Sequence, residues 1–108
     1  MALAKGDVLD ENKKSPSSCR MAVEVLDGGA GFQKINCCSN ELTELDKVPK
    51  FDSTIERFER DDVKAGVVFD ESKNHPNSCG LKVKVLGGGA GFKSINCCGN
   101  ELTVADIA

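Results

Sequence analysis

The chain has 108 residues and is poor in large side chains, with five Phe and no Trp or Tyr against eleven Gly. A domain this small usually needs disulfides, a bound metal or oligomerisation to be stable, and the six Cys are the obvious candidates. The net charge of −3 provides no basic surface for nucleic acid or an anionic membrane, and no apolar run approaches the ~20 residues of a membrane span.

The chain begins MALAKGDVLDENKK, which lacks the apolar stretch and cleavage site of a secretory signal. We therefore expect a cytoplasmic location. In a reducing compartment of this kind, closely spaced cysteines more often bind metal than form disulfides.

The first half of the chain recurs in the second half at a constant offset of 60 residues. GGAGFQKINCC at 28–38 returns as GGAGFKSINCC at 88–98, and the halves align without a gap. Such a repeat indicates that each copy forms the same supersecondary unit. We predict a first repeat at 1–46, a linker at 47–60 and a second repeat at 61–108.

Each repeat is predicted to consist of short strands, so the predicted fold class is mainly β. GDVL and GVVF fit a first strand, and MAVEVL and LKVKVL alternate Val with other residues as half-buried strands do. Glycine-rich turns follow, and FQKIN and FKSIN return as strands that end at the paired cysteines. NELTELD and NELTVAD fit either a strand end or a single helical turn.

A polar loop after the first strand carries Asp10 and Glu11 in one repeat and Asp70 and Glu71 in the other. A hard-cation site would need more converging oxygen ligands than these. We predict that these carboxylates are surface charge.

The linker KVPKFDSTIERFER has the spacing of a helix. Ser53 followed by Glu56 is typical of a capping box, and Ile55 with Phe58 forms a short apolar stripe. The sequence predicts about two turns of helix here, packed across the seam between the repeats.

Each repeat offers three thiols, two of them adjacent. Neighbouring side chains in a strand point to opposite faces, so adjacent sulfurs reach one centre only where the backbone leaves strand geometry. We predict metal or cluster binding rather than disulfides or fully reduced core cysteines. The candidate ligands are Cys19, Cys37 and Cys38 in the first repeat and Cys79, Cys97 and Cys98 in the second.

The second repeat, CGLKVKVLGGGAGFKSINCCGNEL, resembles desulforedoxin and the N-terminal iron domain of desulfoferrodoxin in its Val-rich strand, glycine turn and Cys-Cys-Gly, in that order. The resemblance covers roughly half of the chain. It implies a tetrahedral iron held by thiolates in each repeat, and two desulforedoxin-like β repeats related by a pseudo-two-fold axis, as in a fused dimer.

The chain departs from that family at one ligand. In this chain the first cysteine of the family's Cys-x-x-Cys motif is missing, because Pro16 and Pro76 occupy the expected positions. Two extra residues also separate the glycines from the cysteine pair. Three alternatives remain open: a non-cysteine ligand such as His75, whose counterpart is Ser15; an iron–sulfur cluster held by three thiolates; or a shared centre that pools all six sulfurs.

The glycine turns are predicted to let backbone amides approach the sulfurs and donate N–H···S hydrogen bonds, which would tune a bound cofactor. The glycines predicted in this role are Gly28, Gly29, Gly31, Gly88, Gly89 and Gly91.

The function predicted is that of a small metal–thiolate protein with one iron or iron–sulfur centre per repeat, acting in electron transfer. Its expected partner is a redox protein or a larger enzyme subunit, and oligomer formation is compatible with this prediction. One alternative is a structural module stabilised by zinc or disulfides, and another is an enzyme component with an open cluster iron. An electron carrier is favoured over an enzyme.

Overall fold

The computed structural model describes residues 3–108, and this part of the chain is mainly β. Short 3₁₀ turns at Glu11–Lys13, Glu44–Asp46, Glu71–Lys73 and Val104–Asp106 supplement the strands. The nine strands within the described residues are β1 (Val8–Asp10), β2 (Ala22–Asp27), β3 (Phe32–Cys37), β4 (Asn40–Leu42), β5 (Lys47–Val48), β6 (Val68–Asp70), β7 (Lys82–Gly87), β8 (Phe92–Cys97) and β9 (Asn100–Leu102).

The strands form two antiparallel sheets, and each sheet contains strands from both halves. One has the order β5-β1-β2-β7-β6 and the other β4-β3-β8-β9. At the seam, β2 pairs with β7 and β3 pairs with β8, so each central strand lies against its own counterpart. Glu24 faces Lys84, and Ile35 faces Ile95. The two halves therefore share their hydrogen bonding.

A single hydrophobic core contacts both sheets. Val23 and Val25 of β2 are buried while Glu24 between them is less so, as the period of two in the sequence predicts. The Phe69 ring of β6 lies 4.8 Å from the Phe92 ring of β8, which joins one sheet to the other. The predicted strand assignments are confirmed, and NELTELD forms both a strand and a 3₁₀ turn.

The linker does not form the predicted helix, since residues 49–67 contain only turns, bends and irregular backbone. Its backbone groups hydrogen-bond elsewhere. The Phe58 amide donates to the Cys19 carbonyl at 3.0 Å, and the Phe58 carbonyl accepts from the Ala90 amide at 3.0 Å. At the predicted helix start, the Asp52 carboxylate accepts from the Thr54 amide. Tertiary hydrogen bonds thus replace the helical ones.

Across residues 3–108, no helix combines the length and the apolar character that a bilayer crossing requires.

Close packing at the seam generates a stability prediction. Gly88 has φ +76°, and a Cβ built there would lie 2.6 Å from Met21 Cα. Gly88→Ala should lower the free energy of unfolding by about 3 kcal/mol or more, since overpacking adds to left-handed strain. Urea denaturation with a chelator present would measure it.

Gly80→Ala is the matched control. Gly80 has φ +75° but no atom within 4 Å of a built Cβ, and its counterpart Arg20 has φ 59°. Gly80→Ala should lower the free energy of unfolding by about 1 kcal/mol, from backbone strain alone. Equal losses for the two variants would contradict the close approach of the halves.

Candidate metal centres

The first half brings three thiols and a carboxylate together, and we call this set the first centre: Glu11, Cys19, Cys37 and Cys38. The Cys19 sulfur lies 3.3 Å from the Cys37 sulfur and 3.4 Å from Glu11 Oε1. The Cys37 and Cys38 sulfurs are 3.9 Å apart. One donor atom from each residue lies within 4.8 Å of all the others.

The second half repeats the arrangement, and we call it the second centre: Glu71, Cys79, Cys97 and Cys98. The Cys79 sulfur lies 3.5 Å from the Cys97 sulfur and 3.5 Å from Glu71 Oε1. The Cys97 and Cys98 sulfurs are 3.8 Å apart. Two separate four-donor clusters are therefore present, one in each half.

These separations match the edges of a tetrahedron around one metal ion. Four donors at about 2.3 Å from a central ion lie about 3.8 Å from each other, and an oxygen donor at about 2.0 Å shortens its edges to about 3.5 Å. The observed sulfur–sulfur distances are also far longer than the ~2.05 Å of a disulfide bond, and all six cysteines are free. Each cluster could hold a single tetrahedral metal ion.

A tight turn lets adjacent cysteines face one point. Cys37 ends β3, and Cys38 then adopts the left-handed region with φ 52°. Cys97 ends β8, and Cys98 does the same with φ 54°. The left-handed conformation costs about 1–2 kcal/mol for a residue with a Cβ, so contacts elsewhere in the structure must hold the two cysteines in it. The prediction that the backbone leaves strand geometry at the pair is confirmed.

The glycine turn of each half lies against the cysteines of the other half. The Cys38 amide donates to the Gly91 carbonyl at 2.9 Å, and the Cys98 amide donates to the Gly31 carbonyl at 2.8 Å. A Cβ built on Gly91 would overlap the Cys38 sulfur, and one built on Gly31 would overlap the Cys98 sulfur. Each centre is therefore completed by backbone from the opposite repeat.

The other predicted glycines also make close backbone contacts, and the Gly29 and Gly89 amides in addition hydrogen-bond to Cys79 and Cys19. A Cβ on Gly28 would meet the backbone of Gly80 and Leu81, and one on Gly29 would meet Leu3. Gly88 and Gly89 occupy the equivalent positions against Met21 and Val63. These residues bring the strands close to each other, which in turn positions Gly31 and Gly91.

Hydrogen bonding lowers the pKa of one cysteine in each centre. The pKa of Cys19 is lowered to about 4, chiefly because the Cys37 thiol donates to it, and the Gly91 and Gly89 amides add to this against the effect of burial. The same hydrogen bond raises the pKa of Cys37. Burial opposes ionisation of Cys79, but the Gly31 amide and others outweigh it and lower its pKa. Metal binding would release the protons that remain.

The prediction that the four loop carboxylates are surface charge is wrong for three of them. Glu11 and Glu71 are 0% exposed at the centres, and Asp10 is 4% exposed. The Glu11 carboxylate accepts from the Met21 amide at 3.1 Å and from Asn40 at 3.1 Å. Burial raises the pKa of Glu11. For Glu71, burial also opposes ionisation, but hydrogen bonds from the Leu81 amide and Asn100 outweigh it and lower the pKa.

A signal in the sequence could have identified these carboxylates. Glu11 and Glu71 are identical at the repeat offset, each eight residues before its cysteine, whereas His75 has Ser15 as its counterpart. Two equivalent centres require equivalent ligands. The structure leaves His75 outside both clusters, with Nε2 4.0 Å from Asp106 Oδ1. The sulfurs also form two sets, and the pooled six-sulfur centre is not found among the described residues.

Comparison with known proteins gives no match: no family model, no curated protein and no solved structure matches this chain. Its chemistry is therefore inferred from the geometry of the two centres.

The crossing of the glycine turns generates a prediction that sequence order alone would not suggest. Gly91→Ala, a change in the second repeat, should abolish metal binding at the first centre because the new Cβ displaces the Cys38 sulfur. Gly31→Ala should abolish binding at the second centre in the same way. Titration with Cd²⁺ should fall from two ions per chain to about one in each variant.

Double variants identify the centre that survives. Combining Gly91→Ala with Cys37→Ser should still leave one bound ion, because both changes affect the first centre. Combining Gly91→Ala with Cys97→Ser should leave none. The reverse pattern would mean that each glycine turn serves the centre of its own repeat.

Proposed function

We propose that this chain is a small metal–thiolate protein that carries one mononuclear iron in each half and acts in electron transfer. The observation that supports this proposal is the pair of four-donor clusters whose edges have the lengths of a tetrahedral site. Three thiolates and one carboxylate would bind each ion. The six free thiols fit a reducing compartment such as the cytoplasm.

A single ion is favoured over an iron–sulfur cluster. Thiolates that bind different irons of a cluster point outward from separate metals, and so they lie further apart than ligands of one ion. Two of the three sulfur pairs of the first centre are separated by 3.3 Å and 3.9 Å, and all of its donor atoms lie within 4.8 Å of one another. These distances leave no space for several irons and bridging sulfides. The carboxylate also supplies the fourth donor that a three-thiolate cluster would lack.

Iron is favoured because of the surroundings of the sulfurs. The Cys19 amide donates to the Cys38 sulfur at 3.4 Å, and the Cys79 amide donates to the Cys98 sulfur at 3.4 Å. N–H···S hydrogen bonds to the ligand sulfurs are one means by which proteins set the potential of iron–thiolate centres. A carboxylate is harder than a thiolate and suits an iron that alternates between Fe²⁺ and Fe³⁺.

We also propose that each half is a unit similar to desulforedoxin. At the seam, residues at equivalent positions of the two repeats face each other: Glu24 faces Lys84, and Ile35 faces Ile95. This pairing supports a pseudo-two-fold relation between the halves. We propose a redox protein or a larger enzyme subunit as the partner.

A structural zinc protein is the second candidate, since the same donor set also suits Zn²⁺. In that case the metal would stabilise a core that holds few large side chains. The two candidates differ in colour and in redox behaviour.

Anaerobic loading with iron tests the proposal. We expect two irons and no inorganic sulfide per chain, with thiolate-to-Fe³⁺ absorption that disappears on reduction and returns on oxidation. Cys37→Ser and Cys97→Ser should each remove about half of the iron, since the centres are separate. A colourless protein that retains zinc and excludes iron would support the structural alternative, and inorganic sulfide would indicate a cluster.

The carboxylate ligand gives a second prediction. Glu11→Gln keeps the size of the side chain but removes the charge and replaces one accepting oxygen with a donating NH2 group, so it should weaken metal binding at the first centre at least about tenfold. Competition with a chromophoric chelator would measure the affinity. Glu41→Gln is the control, because Glu41 is exposed and pairs with Lys34 on the surface. Unchanged affinity in Glu11→Gln would exclude the carboxylate as a ligand.

A further inference from the structure

The two centres have the same donors but differ in their access to solvent. Cys19 is buried and Cys38 is half-buried at the first centre. Their counterparts are more open, since Cys79 is half-buried and Cys98 is exposed. The cause of this difference must lie in the linker or at positions where the two repeats differ in sequence, such as Arg20 and Gly80.

The linker covers the first centre. The Phe58 backbone bridges the Cys19 carbonyl and the Ala90 amide. Arg20 extends over this segment, donating to the Glu56 carbonyl at 2.6 Å, and its guanidinium lies 5.6 Å from the centre of the Phe58 ring.

Arg57 of the linker also binds to the first repeat. Its guanidinium makes a two-point ion pair with Asp10, at 2.8 Å and 2.9 Å, beside the ligand Glu11. Its side chain is 5% exposed, so this cover is tightly held.

The second centre has no such cover within the described residues. Gly80 replaces Arg20 there, and a Cβ built on it meets no atom within 4 Å. A cavity of about 380 Å³ opens beside the exposed cysteine instead. We call it the Cys98 cavity; its lining includes Asn74, His75, Asn77, Ser78, Cys98 and Asn100.

The lining of the Cys98 cavity is polar and carries few charges. Asn100 links it to the metal ligands, because its side chain donates to Glu71 Oε2 at 3.3 Å. The cavity volume lies in the range of about 300–1,000 Å³ that is usual for small-molecule sites. Amide and hydroxyl groups of this kind suit a ligand with peptide groups.

We propose that the second centre, and not the first, accepts a small peptide thiol through the Cys98 cavity as an exchangeable metal ligand. This inference rests on the proposed metal centres. The carboxylate is the one hard donor among three soft thiolates, so it is the ligand that a further thiolate displaces most readily.

The exchange is a substitution without electron transfer. The sulfur–metal bond of the incoming thiolate forms, the oxygen–metal bond of Glu71 breaks, and the thiol proton passes to the released carboxylate.

Cobalt-loaded single-centre variants test this proposal, with glutathione as the probe. Cys37→Ser leaves the second centre and Cys97→Ser leaves the first. Glutathione should increase the thiolate-to-cobalt absorption of Cys37→Ser by about one third, as three sulfur ligands become four. It should leave the absorption of Cys97→Ser unchanged. S-methylglutathione, which has the same peptide body without a free thiol, should change neither.

Two further variants test the cover and the cavity. Arg20→Gly introduces the residue of the second repeat, and in the Cys97→Ser background it should make the first centre respond to glutathione. Asn77→Phe, at an exposed position of the cavity wall, should abolish the response of Cys37→Ser while cobalt still binds.

Failure of the ligand-exchange proposal can be distinguished from failure of the proposed metal centres. Equal responses at both centres, or no response at either cobalt-loaded centre, would overturn the exchange proposal and leave the metal centres standing. Failure of both variants to bind cobalt would overturn the proposed function together with this inference.

Discussion

The convergence of three sulfurs and one carboxylate in each half is the constraint on which this structure depends. Burying a carboxylate or a thiolate costs several kcal/mol unless a partner or a metal compensates it. Glu11 and Glu71 are fully buried, and each is held by a backbone amide and an asparagine. The strained cysteine turns point the sulfurs at these carboxylates. The strands, turns and glycines all serve to keep these four groups together.

Each half depends on the other to complete its centre. The shared sheets place the glycine turn of one repeat on the cysteines of the opposite repeat, and Gly31 and Gly91 leave no space for a side chain there. A metal bound in one half would therefore also stabilise the contact between the halves. The duplication thus produces one hydrophobic core with two candidate centres. The linker, together with Arg20, makes these centres unequal in their exposure.

Much of this fold follows from local sequence patterns. Alternating Val residues predict β2 and β7, and the repeated glycine and cysteine motifs predict two equivalent sets of thiols. The features that were missed depend on tertiary contacts. The burial of Glu11 is set by the Met21 amide and Asn40, and the linker remains irregular because Phe58 hydrogen-bonds to Cys19. No local pattern indicates that a glycine turn contacts the sulfurs of the other repeat.

X-ray absorption at the metal edge of the loaded protein would identify the ligands, because it counts the donor atoms around each ion. We expect three sulfurs at about 2.3 Å and one oxygen at about 2.0 Å around each ion. Replacing both Glu11 and Glu71 with Cys should change each donor set to four sulfurs, with no oxygen left at the shorter distance. A short metal–metal distance, or fewer than three sulfurs per ion, would contradict two mononuclear centres of three thiolates and one carboxylate.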